Sequence, residues 1–264
     1  MKEPWKGYMK PFKIWGNLYF AGTEPASTHI IDTGEGLIML DSGYQHSLYL
    51  VIHNMHLLGL DPMNVKYIVH THGHIDHMGA TKALTVLTGA KTFIGEQDKK
   101  IANGTVDLSY AKELDMEFNE FFEPDVLLND GDKIKLGNTE IVAKSTPGHT
   151  RGAMSYFFDV ADDKRTLRAA LMGGVGINTM CREFLDKYGL SYDCRDNFIN
   201  SMDRLKTEQV DIFLGNHVIH NNTLGKHKEI CNGNSDAFVD PNAWKEHCIW
   251  AKQNLLDMID KEAI

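Results

Sequence analysis

The most informative stretch of this sequence reads Val69-His70-Thr71-His72-Gly73-His74-Ile75-Asp76-His77-Met78-Gly79. Within it, His72, His74, Asp76 and His77 place four side chains that commonly bind metals inside a short segment. Imidazole and carboxylate groups together suit a borderline divalent ion such as zinc, and sites with few sulfur ligands are more often catalytic than structural. A surface loop would explain a single histidine, but side-chain packing does not require four such residues close together. The stretch therefore predicts a catalytic metal centre.

This stretch lies between two predicted elements. The β-branched run Val65–Val69 predicts a strand, and Met78–Thr88 predicts a helix that ends at Gly89. Loops that leave the carboxyl ends of strands are where open α/β sheets bind their ligands. The first two histidine ligands are two residues apart on extended backbone, so they can point the same way and share one ion. The adjacent Asp-His pair diverges from them and can serve a second ion.

Two later histidines also follow predicted strands. A hairpin predicted over residues 133–145 leads into Thr146-Pro147-Gly148-His149, whose proline and glycine predict a tight turn that presents the histidine beyond the strand end. His217 comes after the buried run Val210–Leu214. His220 is close enough to compete with it, and His217 is favoured because it follows the strand more directly.

The composition is that of a globular chain with an acidic balance. Hydrophobic residues make up 42% of the 264 residues, enough for a core, and 24% charged residues give no sign of disorder. A formal net charge of −9 argues against a nucleic-acid partner, because such proteins usually present a basic face. No apolar stretch suits a membrane helix and no signal segment is recognised, so a cytoplasmic protein without membrane contact is expected. The four cysteines are widely spaced, so free thiols are expected.

Alternating strand and helix patterns predict an α/β fold, with a mainly parallel sheet wrapped by helices. We expect one domain over residues 1–264, with related βα halves over roughly 1–130 and 131–264. Residues 96–128 are expected to form one or two helices. Two other helices are predicted to start at caps, one at Ser47 and the terminal one at Asp240. The remaining predicted elements are Asn17–Ala21, Thr28–Asp32, Leu37–Asp41, Lys91–Gly95, Lys133–Leu136, Thr139–Ser145, Ala153–Val160, Thr166–Met172 and a helix over Asn197–Lys206.

The spacing His-x-His-x-Asp-His resembles the signature of the metallo-β-lactamase superfamily, and the resemblance extends over nearly the whole chain. The Pro-Gly-His turn and the late strand-terminal histidine also match the pattern of that superfamily. The resemblance implies a four-layer αββα sandwich and a binuclear zinc centre, with iron or manganese as other possible occupants. The implied ligands are His72, His74 and His149 for the first ion, and Asp76, His77 and His217 for the second.

Two further positions bear on the resemblance to this superfamily. Asp41 ends the buried run Leu37–Leu40, where an acid is costly without a partner, and the resemblance implies that it supports the metal-binding loop. Gly174 or a neighbour stands where many superfamily members carry an aspartate that bridges both metals. The third subclass of metallo-β-lactamases also lacks this acid, and the string Phe238–Trp244 resembles the tail of that subclass. Resemblance to the third subclass is therefore expected, with a less tightly held second ion.

The resemblance implies a hydrolase that uses a zinc-bound hydroxide to open a cyclic amide or ester, such as a β-lactam-like or lactone-like small molecule. Asp76 is then the catalytic residue, because it serves both as a ligand and as the proton shuttle. The segment after Gly174, with Met180, Tyr188 and Tyr192, is expected to wall the substrate pocket. Nothing in the sequence predicts the oligomeric state.

Four other classes of protein share this fold and are the alternatives. A glyoxalase-type thioester hydrolase is disfavoured by the missing bridging acid, and a non-hydrolytic iron enzyme is left open. An RNA-processing nuclease is disfavoured by the acidic net charge. A non-catalytic metal-binding module would keep the ligands without turnover, and the presence of all six ligand types argues against it.

Overall fold

The computed structural model describes residues 3–263 and contains two β-sheets. The seven strands of the first sheet lie in sequence order and are β1 (Phe12–Trp15), β2 (Leu18–Phe20), β3 (His29–Asp32), β4 (Leu37–Leu40), β5 (Val65–Val69), β6 (Lys91–Gly95) and β7 (Val126–Leu128). Strands β1 to β4 pair antiparallel, and β4 to β7 pair parallel. The carboxyl ends of the parallel strands therefore share one edge, where the metal-binding loop leaves β5.

The second sheet has five strands, which are β8 (Lys133–Leu136), β9 (Thr139–Ser145), β10 (Met154–Ala161), β11 (Thr166–Leu171) and β12 (Ile212–Leu214). Their order is β12-β11-β10-β9-β8, and of these pairs β11 with β12 is parallel. Leu136 pairs with Thr139, which confirms the predicted two-residue hairpin. The prediction of a mainly parallel sheet was wrong, because short hairpin connections join most neighbouring strands and force antiparallel pairing.

Helices flank the two sheets. They are α1 (Leu48–Leu57), α2 (Ile75–Met78), α3 (Thr81–Thr88), α4 (Lys99–Ala102), α5 (Arg182–Tyr188), α6 (Asp193–Leu205), α7 (Thr223–Cys231) and α8 (Ala243–Glu262). Short 3₁₀ turns lie at Pro4–Gly7, Gln45–Ser47, Pro62–Asn64, Glu96–Asp98 and Ile177–Thr179. Helices α1 and α3 pack on the first sheet, and α6 and α8 pack on the second. This arrangement confirms the four-layer αββα sandwich.

Successive side chains of a strand belong alternately to two cores. One core lies between the two sheets, and the other lies between a sheet and the helices that pack on it. Ile38 and Leu40 of β4 face the second sheet, whereas Met39 between them packs beneath the helices of the first sheet. Tyr156 and Phe158 of β10 belong to the same inner core, while Phe157 packs against α6 and α8. Because successive side chains of a strand point to opposite faces, each sheet is apolar on both faces and needs cover on both.

The predicted helix over Met78–Thr88 is instead two helices, α2 and α3, with a break at Gly79. The backbone N–H of Ala80 donates to the Gly43 carbonyl at 3.0 Å. A Cβ at Gly79 would lie 2.9 Å from the backbone nitrogen of Gln45, so only glycine allows this close approach. The break thus docks the metal-binding loop onto the segment that follows β4.

Other element boundaries differ from the predictions. Residues 96–128 form a 3₁₀ turn, the short helix α4, a long loop and β7. Helix α6 begins at Asp193 rather than Asn197, and α8 begins after Asn242 rather than at Pro241. Ser47 stands before α1, but its hydroxyl donates to the Tyr44 carbonyl instead of capping the helix. Over residues 3–263, none of the helices combines the length and the apolar character needed to span a membrane.

Candidate metal centre

Hydrogen bonds of His70, which is fully buried, hold the loop that leaves β5 to both sheets. Its Nδ1 donates to the Phe93 carbonyl of β6 at 2.8 Å, so its Nε2 accepts from the Thr81 hydroxyl at 2.6 Å. The hydroxyl of Tyr156, on β10, donates to the His70 carbonyl at 2.5 Å. His70 is therefore a core residue rather than a ligand.

Three imidazoles form the first candidate ligand group. His72, His74 and His149 each offer a ring nitrogen, and these atoms lie within 4.8 Å of one another. The Nε2 atom of His72 is 3.1 Å from the Nδ1 atom of His74. The His149 ring centroid lies 4.8 and 4.6 Å from those of the other two rings. One loop from each sheet thus contributes to the same buried group.

Asp76 lies at the centre of the second candidate group. Its Oδ2 atom is 3.1 Å from Nε2 of His77 and 3.4 Å from Nε2 of His217. His72, Asp76 and His77 also place ligand atoms within 4.8 Å of one another, so His72 borders both groups. The structure therefore brings together all six side chains that were assigned to two ions, and their division between the ions stays a prediction.

His217, rather than His220, reaches the cluster. Its Nδ1 donates to the Pro25 carbonyl at 2.8 Å, which turns Nε2 towards Asp76. The Nδ1 of His220 bonds instead to Oδ1 of Asn216 at 2.8 Å. Within residues 3–263, His220 has no ring nitrogen within 4.0 Å of the Asp76 carboxylate. Its ring instead packs against that of His217, with 5.2 Å between the ring centroids.

Hydrogen bonds to the outer ring nitrogens of four histidines direct their inner nitrogens into the cluster. The Nδ1 partners are Thr71 Oγ1 for His72, Asp41 Oδ2 for His77, the Gly176 carbonyl for His149 and the Pro25 carbonyl for His217. Each of these oxygens accepts a hydrogen bond from Nδ1–H, and the Thr71 oxygen is free to do so because the Thr71 hydroxyl donates its own hydrogen to Asp41. In the neutral ring each Nε2 then carries a lone pair. That of His72 faces Nδ1 of His74 at 3.1 Å, and that of His77 is buried 3.1 Å from Oδ2 of Asp76 in a geometry that makes no hydrogen bond. A divalent cation binds imidazole nitrogens that carry a lone pair and are held in a fixed orientation. The donor set therefore fits a divalent cation.

The electrostatics of the site favour a cation next to Asp76. Burial would raise the pKa of Asp76, but His77 and then the other imidazoles hold it well below its usual range. Burial opposes protonation of His77, yet the carboxylates of Asp76 and Asp41 outweigh it and raise the pKa of His77 to about 10. In contrast, burial lowers the pKa of His149 to about 4. The first group therefore stays neutral, while the second attracts positive charge, as a proton or as a metal ion.

Asp41, which follows β4, orients the metal-binding loop through hydrogen bonds. Its carboxylate accepts the backbone N–H of Thr71 at 2.7 Å, the Thr71 hydroxyl at 2.8 Å and Nδ1 of His77 at 2.7 Å. The residue is buried, and its φ of 57° lies in the left-handed region, which aspartate and asparagine tolerate better than most residues. These contacts are those expected of an acid that supports ligand imidazoles.

Asp98 is a second supporting acid, and the sequence analysis missed it. It is fully buried, and its Oδ2 accepts the Gly73 N–H at 2.8 Å and the Thr150 hydroxyl at 2.6 Å. Its Oδ1 accepts the Gly152 N–H at 2.8 Å. Gly73 separates two predicted ligands, and Thr150 follows a third, so one carboxylate ties both loops of the first group together. Its position just after strand β6 was the signal available in the sequence.

Replacing Asp98 with asparagine is expected to weaken both the fold and the first ion site. An amide has one acceptor oxygen and a donor NH₂, so either Gly73 or Gly152 must lose its acceptor in a buried place. The expected loss of stability is about 1–3 kcal/mol, and metal affinity at the first site should fall about tenfold or more. Chemical denaturation and metal titration against a chelator measure the two effects.

Asp125 offers the matched control for that experiment. Its carboxylate also accepts a backbone N–H and a hydroxyl, both from Thr92, at 2.8 Å each, but at the opposite end of β6. Asp125→Asn should leave metal affinity unchanged. Equal metal affinity in the Asp98 and Asp125 variants would show that Asp98 supports only the fold.

A glycine-rich segment encloses the ring of His149. A Cβ at Gly174 would lie 2.1 Å from Cδ2 of His149, and one at Gly176 would lie 3.0 Å from its Cε1. The Gly176 carbonyl also accepts the bond from Nδ1 of His149. A side chain at Gly174 would therefore displace the imidazole, so the chain has no room for a bridging aspartate at this position.

A cavity of about 600 Å³ opens beside His74 and His149. The segment after Gly174 does wall it, as predicted, but through Phe184, Leu185 and Leu190. The three residues named for that role from the sequence lie elsewhere. Met180 is buried in the core beneath α6 and α8. Tyr188 and Tyr192 lie outside the lining of this cavity, and their hydroxyls donate hydrogen bonds to Glu113 and Asp186.

A sandwich of two sheets with a buried histidine and aspartate cluster at one edge indicates a metal-binding protein. Residues 21–163 match the model of the metallo-beta-lactamase superfamily. Because the match covers more than half of the chain, the protein belongs to this superfamily. The family implies a divalent metal, and the six clustered side chains provide suitable donors.

Solved structures agree with this assignment over nearly the whole chain. BJP-1, a subclass B3 metallo-beta-lactamase of Bradyrhizobium japonicum, is 25% identical, with a TM-score of 0.89 over 99% of this chain and 98% of that one. The FEZ-1 metallo-beta-lactamase of Legionella gormanii is 26% identical, with a TM-score of 0.87 over 97% of each chain. The expected resemblance to the third subclass is thereby confirmed.

Curated relatives match a shorter region. A probable metallo-hydrolase of Burkholderia pseudomallei is 34% identical over 92 residues, which are 35% of this chain and 31% of that protein. The matches to three such relatives span between 31% and 55% of their lengths. The relative from Burkholderia pseudomallei agrees with the class of metallohydrolase.

Proposed function

We propose that this protein hydrolyses a cyclic amide or ester of the β-lactam or lactone type, using two zinc ions. The observation that carries the proposal is the convergence of six donor side chains in two adjoining groups around His72 and Asp76. His72, His74 and His149 would hold one ion, and Asp76, His77 and His217 the other. Bound there, the ions would polarise a carbonyl and lower the pKa of a water molecule.

The side chains of the site have distinct tasks in this proposal. The buried imidazoles exclude water from one side of the centre, and their outer hydrogen bonds keep them in place. Asp76 is partly exposed and ionised, so its carboxylate can accept a proton and deliver it to the leaving nitrogen or oxygen. Asp41 and Asp98 position the two loops and do not touch the substrate.

The missing bridging acid bears on the choice of substrate. Thioester hydrolases of the glyoxalase type carry an aspartate where this chain has the glycines that enclose His149. The glycine segment instead suits the third subclass of metallo-β-lactamases, which lacks that acid. This similarity favours cyclic amides and lactones over thioesters as substrates.

A hydrolysis panel combined with metal analysis tests the proposal. We expect two zinc ions per chain and metal-dependent turnover of at least one cephalosporin, carbapenem or acyl-homoserine lactone. S-lactoylglutathione should be hydrolysed far more slowly. A zinc-loaded protein that opens none of the cyclic substrates, or that prefers the thioester, would refute the proposal.

A further inference from the structure

Two histidines that are not among the six clustered side chains lie close to each other. His220 is on the turn that follows β12, and His247 is on α8. Their ring centroids are 5.5 Å apart, with 45° between the ring planes. Two imidazoles that bind one ion through nitrogens at about 2.0–2.1 Å hold their ring centroids roughly 5–6 Å apart. The pair therefore has the spacing of two ligands of one ion.

His247 interrupts the apolar face of α8. The buried residues of this helix are Trp244, His247, Cys248, Ala251 and Leu255. His247 is 8% exposed, and its Nε2 is buried with no hydrogen-bond partner among residues 3–263. Burial lowers the pKa of His247 to about 4, so the ring is neutral near neutral pH. A buried ring nitrogen without a partner costs free energy, and a cation bound to it would remove that cost.

A hydrogen bond orients His220 in the way that the histidines of the main centre are oriented. Its Nδ1 donates to Oδ1 of Asn216, a buried residue, at 2.8 Å. In the neutral ring Nε2 then carries the lone pair. The histidines of the main centre whose Nδ1 also donates to an oxygen are His72, His77, His149 and His217. His220 is therefore prepared as a metal ligand, although it does not reach Asp76.

The pair is separate from the main centre. The ring of His217 packs edge-on against that of His220, with 5.2 Å between the ring centroids and 86° between the planes. Both nitrogens of His217 face other partners, since Nδ1 donates to the Pro25 carbonyl and Nε2 lies 3.4 Å from Asp76. An ion held by His220 and His247 would therefore share no ligand with the ions of the main centre.

We propose that His220 and His247 bind a transition-metal ion of their own, and that copper(II) is the divalent ion bound most tightly. Imidazole suits copper, nickel and zinc, and copper(II) has the highest affinity for nitrogen ligands among the first-row divalent ions. Across residues 3–263, no carboxylate oxygen lies within 4.0 Å of either ring, so the ligands are neutral and the affinity is lower than at the main centre. The proposal does not depend on the hydrolytic function.

Titration of the zinc-loaded protein with copper(II) tests the proposal, with Trp250 as the reporter. The indole of Trp250 stacks on His247, with 5.2 Å between the ring centroids and 27° between the planes, so a copper ion bound there should quench its fluorescence. We expect one copper ion per chain in addition to the zinc already bound, and much weaker quenching in Trp250→Phe. A protein that binds no copper, or that binds it only by releasing zinc, would overturn the proposal.

A substitution on α8 assigns the copper ion to this pair. His247→Phe removes one ligand and keeps an aromatic ring against Phe213 and Trp250. Copper affinity should fall about tenfold or more, at unchanged zinc content. His56→Phe is the matched control, because His56 is an exposed histidine of another helix, α1, and it should keep the original copper affinity. An affinity that His247→Phe leaves unchanged, or that both variants lower equally, would contradict the assignment.

Pulsed electron paramagnetic resonance of the unaltered protein reports the copper ligands without relying on a variant that folds. The remote nitrogen of each coordinated imidazole modulates the copper signal, and the depth of the modulation distinguishes one ring from two. With zinc retained in the main centre, we expect the modulation of two imidazoles. A signal from one ring, or from none, would refute the proposed site.

Discussion

Replacing Asp76 with alanine is expected to lower kcat by about a thousandfold, with one zinc ion still bound per chain. The Asp76 carboxylate contacts both His77 and His217, so its removal deprives the second group of its only anionic donor. It also removes the group that passes a proton to the leaving atom. The first group, His72 with His74 and His149, has no contribution from this carboxylate. Steady-state kinetics and elemental analysis of the purified variant measure both effects.

Asp107 provides the control for that experiment. It is an exposed acid of the loop that follows α4, and its partner is Lys112 on the same loop. Asp107→Ala should keep both ions and the original kcat. Near-normal turnover by the Asp76 variant would remove Asp76 from the mechanism. Loss of both ions would instead show that the two groups bind metal as one unit.

The site was more predictable than the sheets that carry it. Four of the six clustered side chains lie in one short stretch, and ligand spacing is a local property of the sequence. His149 and His217 were recognisable because each follows a strand, and strand ends bring distant residues to one edge. Alternating strand and helix patterns predicted an α/β fold, and the family resemblance supplied the four layers. Hairpins and crossovers mix in both sheets, so the pattern did not give the strand directions.

Asp98 shows what local patterns do not contain. Its three donors lie 25, 52 and 54 residues away, on two loops that approach each other only in the folded protein. The break at Gly79 has the same origin, since the partner of Ala80 is the carbonyl of Gly43. In both cases the decisive bond is long-range, whereas propensity and periodicity describe only near neighbours.

Asp41→Asn is expected to weaken binding of the second ion about tenfold to a hundredfold. Asparagine tolerates the left-handed backbone at this position, where φ is 57°, so the change removes charge and an acceptor oxygen with little strain. Three donors, two from Thr71 and one from His77, face the carboxylate at 2.7 to 2.8 Å, and an amide cannot accept from all of them. His77 would then lose the partner that turns its Nε2 towards the site.

Stepwise zinc titration against a chelator resolves the two affinities in this variant. The second should fall more than the first, because Asp41 touches His77 directly but reaches His72 only through the Thr71 hydroxyl. Asp32→Asn is the matched control, since Asp32 also ends a strand and accepts a backbone N–H, from Gly34, at the hairpin remote from the site. If both affinities fall equally in the Asp41 variant, the acid supports the loop as a whole rather than the orientation of His77.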